Sequence, residues 1–329
     1  PNPIRISIQD EARCPRYSGL FIKGVNVTES PEWMKNRLRS VGIRPINNIV
    51  DVTQFVMIEC GQPLHAFDAA TIKGNQVIIR TAKKEESFMT LDGIDRKLDS
   101  EDLVICNNEE PMCLAGVIGG EHSGISDSTC NLFLESAYFQ AAGIRKTAKR
   151  HTLKTDASFR YERGCDPNIT LYALRRAALL IQELAGGEIS EITDIYPKPI
   201  EKCVVEFPYK KMNALIGKEI EKEVVREILK DIDIEILQEH PDQLTLAIPT
   251  NKVDVTRVAD VVEEVLRIYG YNHIPMPDHF EYRPSMLDEN PLLEVKERIS
   301  AYLSDNGFYE IMNNSLTKSD YSRFEFINT

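Results

Sequence analysis

Four groups of residues in this sequence carry side chains suited to chemistry. His65, in Cys60-Gly-Gln-Pro-Leu-His-Ala-Phe-Asp68, follows a proline-stiffened turn and reads as a loop histidine. It is either a structural hydrogen-bonder or a group that holds or moves a proton. Glu135 follows the apolar run Leu132-Phe-Leu134, which puts it at the end of a strand and partly buried. Desolvation makes a buried acid without a role uncommon, so Glu135 is a site candidate. Leu114-Ala-Gly-Val-Ile-Gly-Gly120 is glycine-rich. It either lets a ligand approach the backbone closely or makes a tight turn between strands, and it matches neither the P-loop nor the dinucleotide fingerprint. Asp260, Glu263 and Glu264 share one face of a helix, and Asp254 lies just before its first turn. Four carboxylates so placed suit a hard cation such as magnesium. Acids near a helix start are also favourable with its dipole.

The elements that must position these groups are legible in outline. Ser30-Pro31-Glu32-Trp33 reads as a capped helix start, with Trp33, Met34, Leu38 and Val41 recurring at helical spacing before Gly42. A second, largely apolar helix is expected over residues 48–59, stopping at Gly61. Residues 77–80 and 103–106 read as short strands. A long helix is expected from an Asp166-Pro167 cap through Leu184 to Gly186-Gly187. Tyr196-Pro-Lys-Pro199 reads as a linker. Beyond it come a strand at 204–207, a short helix ending at Gly217 and an amphipathic helix around Val224–Leu229. Strands at 232–237 and 244–248 follow, then a last helix at 255–269 closed by Gly270. The fold class expected is α+β and multi-domain: a mixed-sheet domain at 1–197, a small α+β domain at 198–276, and a third segment at 277–329. The chain opens at Pro1 and stops within sequence that reads as structured, so both ends read as cuts through a longer polypeptide.

Composition narrows the classes. The 329 residues are 42% hydrophobic, enough to bury sizeable cores, and no apolar run approaches the roughly 18 residues that span a bilayer. Seven scattered cysteines without a CxxC pair point to neither a zinc site nor a disulfide framework, and reduced thiols in a cytoplasmic protein are expected. The net charge of -12 argues against indiscriminate nucleic-acid binding. Charge is uneven, however. Between Arg145 and Arg176 nine Lys or Arg meet three acids, a local excess that either faces RNA or forms a solvated helical face.

Read in order, a set of longer motifs converges on one family. They are Cys14-Pro-Arg-Tyr-Ser-Gly19, Gly42-Ile-Arg-Pro-Ile-Asn-Asn48, Val50-Asp-Val-Thr53, Gly61-Gln-Pro-Leu-His-Ala-Phe-Asp68, Leu114-Ala-Gly116 with Gly119-Gly120, Leu134-Glu-Ser-Ala137, Thr155-Asp-Ala-Ser158 and Tyr161-Glu-Arg-Gly164. This stretch resembles the editing module of the bacterial phenylalanyl-tRNA synthetase beta subunit. Residues 198–276 resemble that subunit's next, winged-helix-like module, through Ile248-Pro249, Asp254-Val255 and the run from Asp260 to Tyr271. The remainder, through Asn306-Gly-Phe-Tyr-Glu310, resembles the opening of its catalytic-like, inactive class II domain.

The resemblance implies hydrolytic editing of mischarged Tyr-tRNA(Phe), beside an alpha subunit that attaches phenylalanine to tRNA(Phe) within a heterotetramer of two alpha and two beta chains. ATP enters only in that complete enzyme. It implies that Glu135 and the backbone around Gly116 read the tyrosine ring and hydroxyl. His65 and Thr53 hold the ester end and the attacking water, Pro63 shapes the wall, and Thr155 and Ala157 line the pocket. It assigns Asp254, Asp260, Glu263 and Glu264 to a magnesium site shared with the alpha subunit. Tyrosine and phenylalanine analogues are the implied small ligands, and no membrane is involved. Two departures stand out: Gln54 where the family has asparagine, and Asn251-Lys-Val in place of an arginine-containing stretch. The competing expectation is a non-catalytic scaffold that binds tRNA or the partner subunit through a degenerate pocket. DNA binding by residues 198–276 would rest on fold analogy alone, and the acidic last helix argues against it.

Overall fold

The computed structural model describes residues 1–276 and 291–316, with His279 and Lys318. The chain divides into two compact units, Pro1–Ile274 and Pro275–Thr329.

The first unit is built around an antiparallel sheet. Its spatial order is Glu188–Ile189, Arg16–Lys23, Asn131–Tyr138 and Leu64–Asp68, with Thr193–Ile195 also pairing along Arg16–Lys23. The strand Asn131–Tyr138 is buried on both faces, and its side chains alternate between two cores. Leu132 and Leu134 join Leu20, Ile22 and Ala66 in a core shared with the helices Glu32–Ser40, Asn48–Cys60 and Thr170–Ala185. Phe133 and Ala137 point the other way, with Tyr17 and Phe67, into a core shared with a second sheet. That sheet is mixed: Arg5–Ile8 pairs parallel to Gln76–Thr81, and Leu103–Cys106, Pro111–Leu114 and Ile118–Gly119 continue it antiparallel. The result is a helix layer, a sheet and a second sheet, with the helices Ala141–Arg150 and Asp156–Tyr161 beside the latter core. The expected α+β, mixed-sheet class is what forms.

Residues 205–265 make a third, separate core. The antiparallel strands Cys203–Pro208, Gln243–Ile248 and Glu235–Glu239 carry Val205, Phe207, Leu244 and Leu246 against the helices Tyr209–Ile216, Lys222–Asp231 and Val258–Tyr269. In the second unit the described element is the helix Pro291–Asp305, followed by residues 306–316 outside any helix or strand. Most of the expected catalytic-like segment's opening (277, 278, 280–290) and its end (317, 319–329) lie outside the described residues.

Several local expectations need correcting. Ser30 does not cap the helix Glu32–Ser40; its hydroxyl donates to buried Asp51 at 2.5 Å, and Pro31 stands at the N-cap. Trp33 is 43% exposed on that helix, so Met34 and Leu38 carry its buried face. The long helix starts at Thr170, because the Asp166 carboxylate takes the Asn168 N–H and the Thr250 hydroxyl in a turn ahead of it. The strand expected at 232 starts at Glu235, after a turn in which Asp233 adopts φ 62°. The last helix starts at Val258 rather than Val255. His65 is not a loop residue but lies within the strand Leu64–Asp68, and Glu135 sits mid-strand, only 4% exposed.

Candidate active site

The helix Asn48–Cys60 forms one wall of a cavity of about 200 Å³. The Asn47 side chain accepts the Ile49 and Val50 N–H groups at its start, and Gly61 closes it in the left-handed conformation. Asp51, buried, accepts from Ser30 Oγ and from the Ile46 N–H at 2.7 Å, tying the first turn to the chain before it. A helix so held turns Thr53, Gln54 and Met57 to the cavity.

The floor comes from strand register. Glu135 lies directly opposite His65 on one neighbouring strand and Gly19 on the other, and residues opposite each other project to the same face. The turn between Pro111–Leu114 and Ile118–Gly119 brings Gly116 and Gly119 to the rim. Gly116 has φ 65°, and a Cβ there would stand 3.0 Å from Ile144, Phe139 and Tyr161. A Cβ on Gly119 would stand 2.9 Å from His65 Cε1. The tight-turn reading of Leu114–Gly120 therefore holds, and the bare backbone makes room for the histidine ring. Thr155 Oγ1 donates to Val117 O at 2.7 Å and accepts from the Ser158 N–H, capping the short helix that delivers Ala157.

One cavity thus gathers Thr53, Pro63, His65, Gly116, Glu135, Thr155 and Ala157, all seven residues that the sequence singled out for this site, and Gln54 with them. Reading the sequence missed four contributors. Tyr17 donates its phenol hydrogen to Glu135 Oε2 at 2.6 Å. Gln62 donates from Nε2 to Ala137 O, Pro63 O and the Tyr161 hydroxyl, and that hydroxyl in turn donates to Ala137 O and Pro63 O, fixing the Pro63 wall. Cys113 also lines the cavity. Tyr17, Gln62 and Tyr161 fall inside motifs already noted, but only strand pairing shows where Tyr17 points, and only packing brings Tyr161, at the end of the helix Asp156–Tyr161, to the Pro63 wall.

The electrostatics follow from burial. Desolvation raises the Glu135 carboxyl to about 8, although the Tyr17 hydrogen bond pulls it down. Burial lowers His65 to about 4, and its Nε2 is buried without a hydrogen-bond partner. The Tyr17 phenol is pushed well up by burial and by Glu135. Burial, reinforced by Glu135, likewise keeps the Cys113 thiol protonated, so it is no thiolate nucleophile. At neutral pH the carboxyl is mostly protonated and the imidazole neutral. Thr53 Oγ1 spends its hydrogen on Val50 O at 2.7 Å. Such a cavity suits a neutral polar ligand group that can both give and take a hydrogen bond.

The acids of the last helix tell a different story. Asp260 accepts from the Thr256 and Arg257 N–H groups, each at 3.1 Å, as a helix cap. Glu264 is held by Arg267 at 2.6 Å and by Lys252 at 2.5 Å, and these partners lower it to about 2. Asp254 and Glu263 are exposed. Among the described residues no group of three or more His, Cys, Asp or Glu is placed to hold a metal ion. Shared spacing puts three of the acids on one helix without converging them, and Lys252, part of the departing Asn251-Lys-Val stretch, neutralises one. As this chain holds them, they do not fit a magnesium site.

Comparison with known proteins agrees with the motifs. The family model "B3/4 domain" matches residues 13–186, and "tRNA synthetase B5 domain" matches residues 205–271. The phenylalanine–tRNA ligase beta subunit of Bacteroides fragilis (strain YCH46) is 48% identical over 320 residues, 97% of this chain and 39% of that protein. The beta subunit of Porphyromonas gingivalis (strain ATCC BAA-308 / W83) is 48% identical over 325 residues, with the same coverage. A solved N-terminal fragment of the Pyrococcus horikoshii phenylalanyl-tRNA synthetase beta subunit matches 82% of this chain and 75% of its own at 16% identity. Its TM-score of 0.41 is too low to add to the argument. The chain spans about two fifths of the length of the curated relatives it matches. Among the described residues no helix is long and apolar enough to cross a membrane. The chain belongs to the phenylalanine–tRNA ligase beta-subunit family, of which it carries the B3/4 and B5 domains.

Proposed function

We propose that this chain hydrolyses the tyrosyl ester of mischarged Tyr-tRNA(Phe), and that within the longer protein it supports phenylalanine attachment to tRNA(Phe) by a partner alpha subunit. The need for such a step is physical. Tyrosine differs from phenylalanine by one hydroxyl, and an apolar pocket rejects such an analogue by only on the order of 100-fold. A second site that hydrogen-bonds the hydroxyl discriminates by roughly 10⁴ or more, because phenylalanine leaves its polar groups unpaired.

The observation that carries this reading is the buried, largely neutral Glu135 carboxyl. Tyr17 donates to its Oε2, which leaves the proton of a neutral carboxyl on Oε1, where it would be donated to the oxygen of a substrate phenol. Glu135 and the backbone around Gly116 would then select the phenol. Pro63, Thr155 and Ala157 would form the walls, and His65 with Thr53 would hold water at the ester. Water adds to the ester carbonyl, and the ribose hydroxyl leaves with its proton restored. The ester is already activated, so orienting water and stabilising the oxyanion suffice. A histidine lowered to about 4 is a weak base, which fits a positioning role through its unpartnered Nε2. Ala157→Trp should fill the cavity and reduce Tyr-tRNA(Phe) deacylation to background while thermal unfolding stays near wild type. Unchanged deacylation would remove the site assignment.

A further inference from the structure

The Glu135 carboxyl has its polarity fixed from behind. Tyr17 lies opposite Ala137 and Gly19 lies opposite Glu135, so all four project to one face of the central sheet. Ala137 is small, and Tyr17 reaches along the diagonal to Glu135 Oε2 at 2.6 Å. Tyr17 is fully buried, and Glu135 is the one hydrogen-bond partner of its hydroxyl among the described residues. If the carboxyl gave its proton to the phenol oxygen, the phenol hydrogen would be left in the core without an acceptor, which burial makes costly. The phenol is therefore the donor, and the proton of the neutral carboxyl sits on Oε1. Among the described residues Oε1 has no partner, and Glu135 lines the cavity.

We propose that Tyr17 is a positioning residue that makes Glu135 a hydrogen-bond donor to the cavity, so that the cavity takes aromatic ligands with an accepting atom in the para position. The proposal rests on the reading of this cavity as the site of the tyrosyl ring, and adds which property of the para group is read. A phenol oxygen accepts such a hydrogen bond. An aniline nitrogen, whose lone pair is drawn into the ring, accepts poorly and is chiefly a donor. Ionisation reverses the preference, because a carboxylate only accepts. The other titratable groups buried around Glu135 stay neutral while it changes. Burial holds His65 down at about 4 and pushes the Cys14 and Cys113 thiols and the Tyr161 phenol well up. Asp156, on the cavity rim, is exposed.

The test is calorimetric titration of the whole chain with tyrosinamide and 4-aminophenylalaninamide from about pH 6 to about pH 9, where the ligand phenol keeps its proton. The α-amine that the two share cancels in the ratio of affinities. Wild type is expected to favour tyrosinamide by about tenfold at the acid end, and to lose that preference as Glu135 ionises at about 8. Tyr17→Phe keeps the ring and removes the donor. It should reduce the acid-end preference by roughly threefold or more, since a free neutral carboxyl can turn either oxygen to the cavity. What preference remains should persist to higher pH, because the lost hydrogen bond is the contact that lowered the carboxyl. Glu135→Gln should abolish the pH dependence; a dependence that survived there would place the proton elsewhere and overturn the proposal. Equal weakening of both amides in Tyr17→Phe, with the ratio and its pH midpoint unmoved, would reduce Tyr17 to a packing residue and overturn the proposal while the cavity reading stands. A wild-type chain that binds neither amide, or both alike at every pH, would overturn the cavity reading and the proposal together.

Discussion

At the scale of single residues, the cavity holds two titratable groups displaced in opposite directions by the same cause. Burial favours the neutral form of each, raising Glu135 from 4.5 to about 8 and lowering His65 from 6.5 to about 4. The consequences for stability are opposite in sign. Between about 4.5 and 8 the folded chain keeps a Glu135 proton that the unfolded chain has released. That contribution is full below 4.5 and is lost as pH rises to 8. The His65 contribution is present above 6.5 and is lost as pH falls toward 4, because the unfolded chain takes up the proton first. Replacing Glu135 with glutamine should therefore remove part of the loss of stability seen on raising pH from 5 to 8. Thermal unfolding of both proteins across that range checks this. Parallel curves would mean that the carboxyl is ionised in the folded chain at neutral pH.

At the scale of elements, the helix that carries Arg145 and Lys149 is anchored by a buried carboxylate. Asp102 is fully buried and accepts from Thr147 Oγ1 at 2.8 Å, His151 Nε2 at 2.7 Å, the Asp99 N–H at 2.9 Å, and Arg150. Burial pushes its carboxyl up, but these donors outweigh burial and hold it below the usual range. Asp102→Ala should cost about 3–5 kcal/mol, since the partners lose a buried charge; the shift of the urea midpoint measures it. The elements were legible to different degrees. The helix Asn48–Cys60 was clear because its apolar run ends at a glycine able to take φ 75°. The strand carrying Glu135 was legible only as far as that residue, because Glu135 and Ser136 are both buried between layers and break the alternation that marks a strand. Asp260, Glu263 and Glu264 share a helix face as expected, but spacing does not reveal that Arg267 and Lys252 occupy Glu264. Motif order brought seven cavity residues together from across the sequence, whereas Tyr17 needed the pairing of Arg16–Lys23 with Asn131–Tyr138 to be found.

At the scale of the molecule, two cores on opposite faces of one sheet hold the cavity, and a third core stands apart in residues 205–265. The cavity draws on the helix layer (Thr53), on the central sheet (His65, Glu135) and on the second sheet's turn (Gly116), so its shape depends on all three layers packing together. If the proposed reading holds, this cavity selects a phenol over a plain benzyl group. Calorimetric titration of the chain with tyrosinamide and phenylalaninamide measures that selection. The expected result is tighter binding of tyrosinamide by about tenfold or more, one charge-free hydrogen bond plus the cost of an unpaired carboxyl, and loss of that preference in Glu135→Ala. Equal affinity for the two amides, or binding of neither, would contradict it.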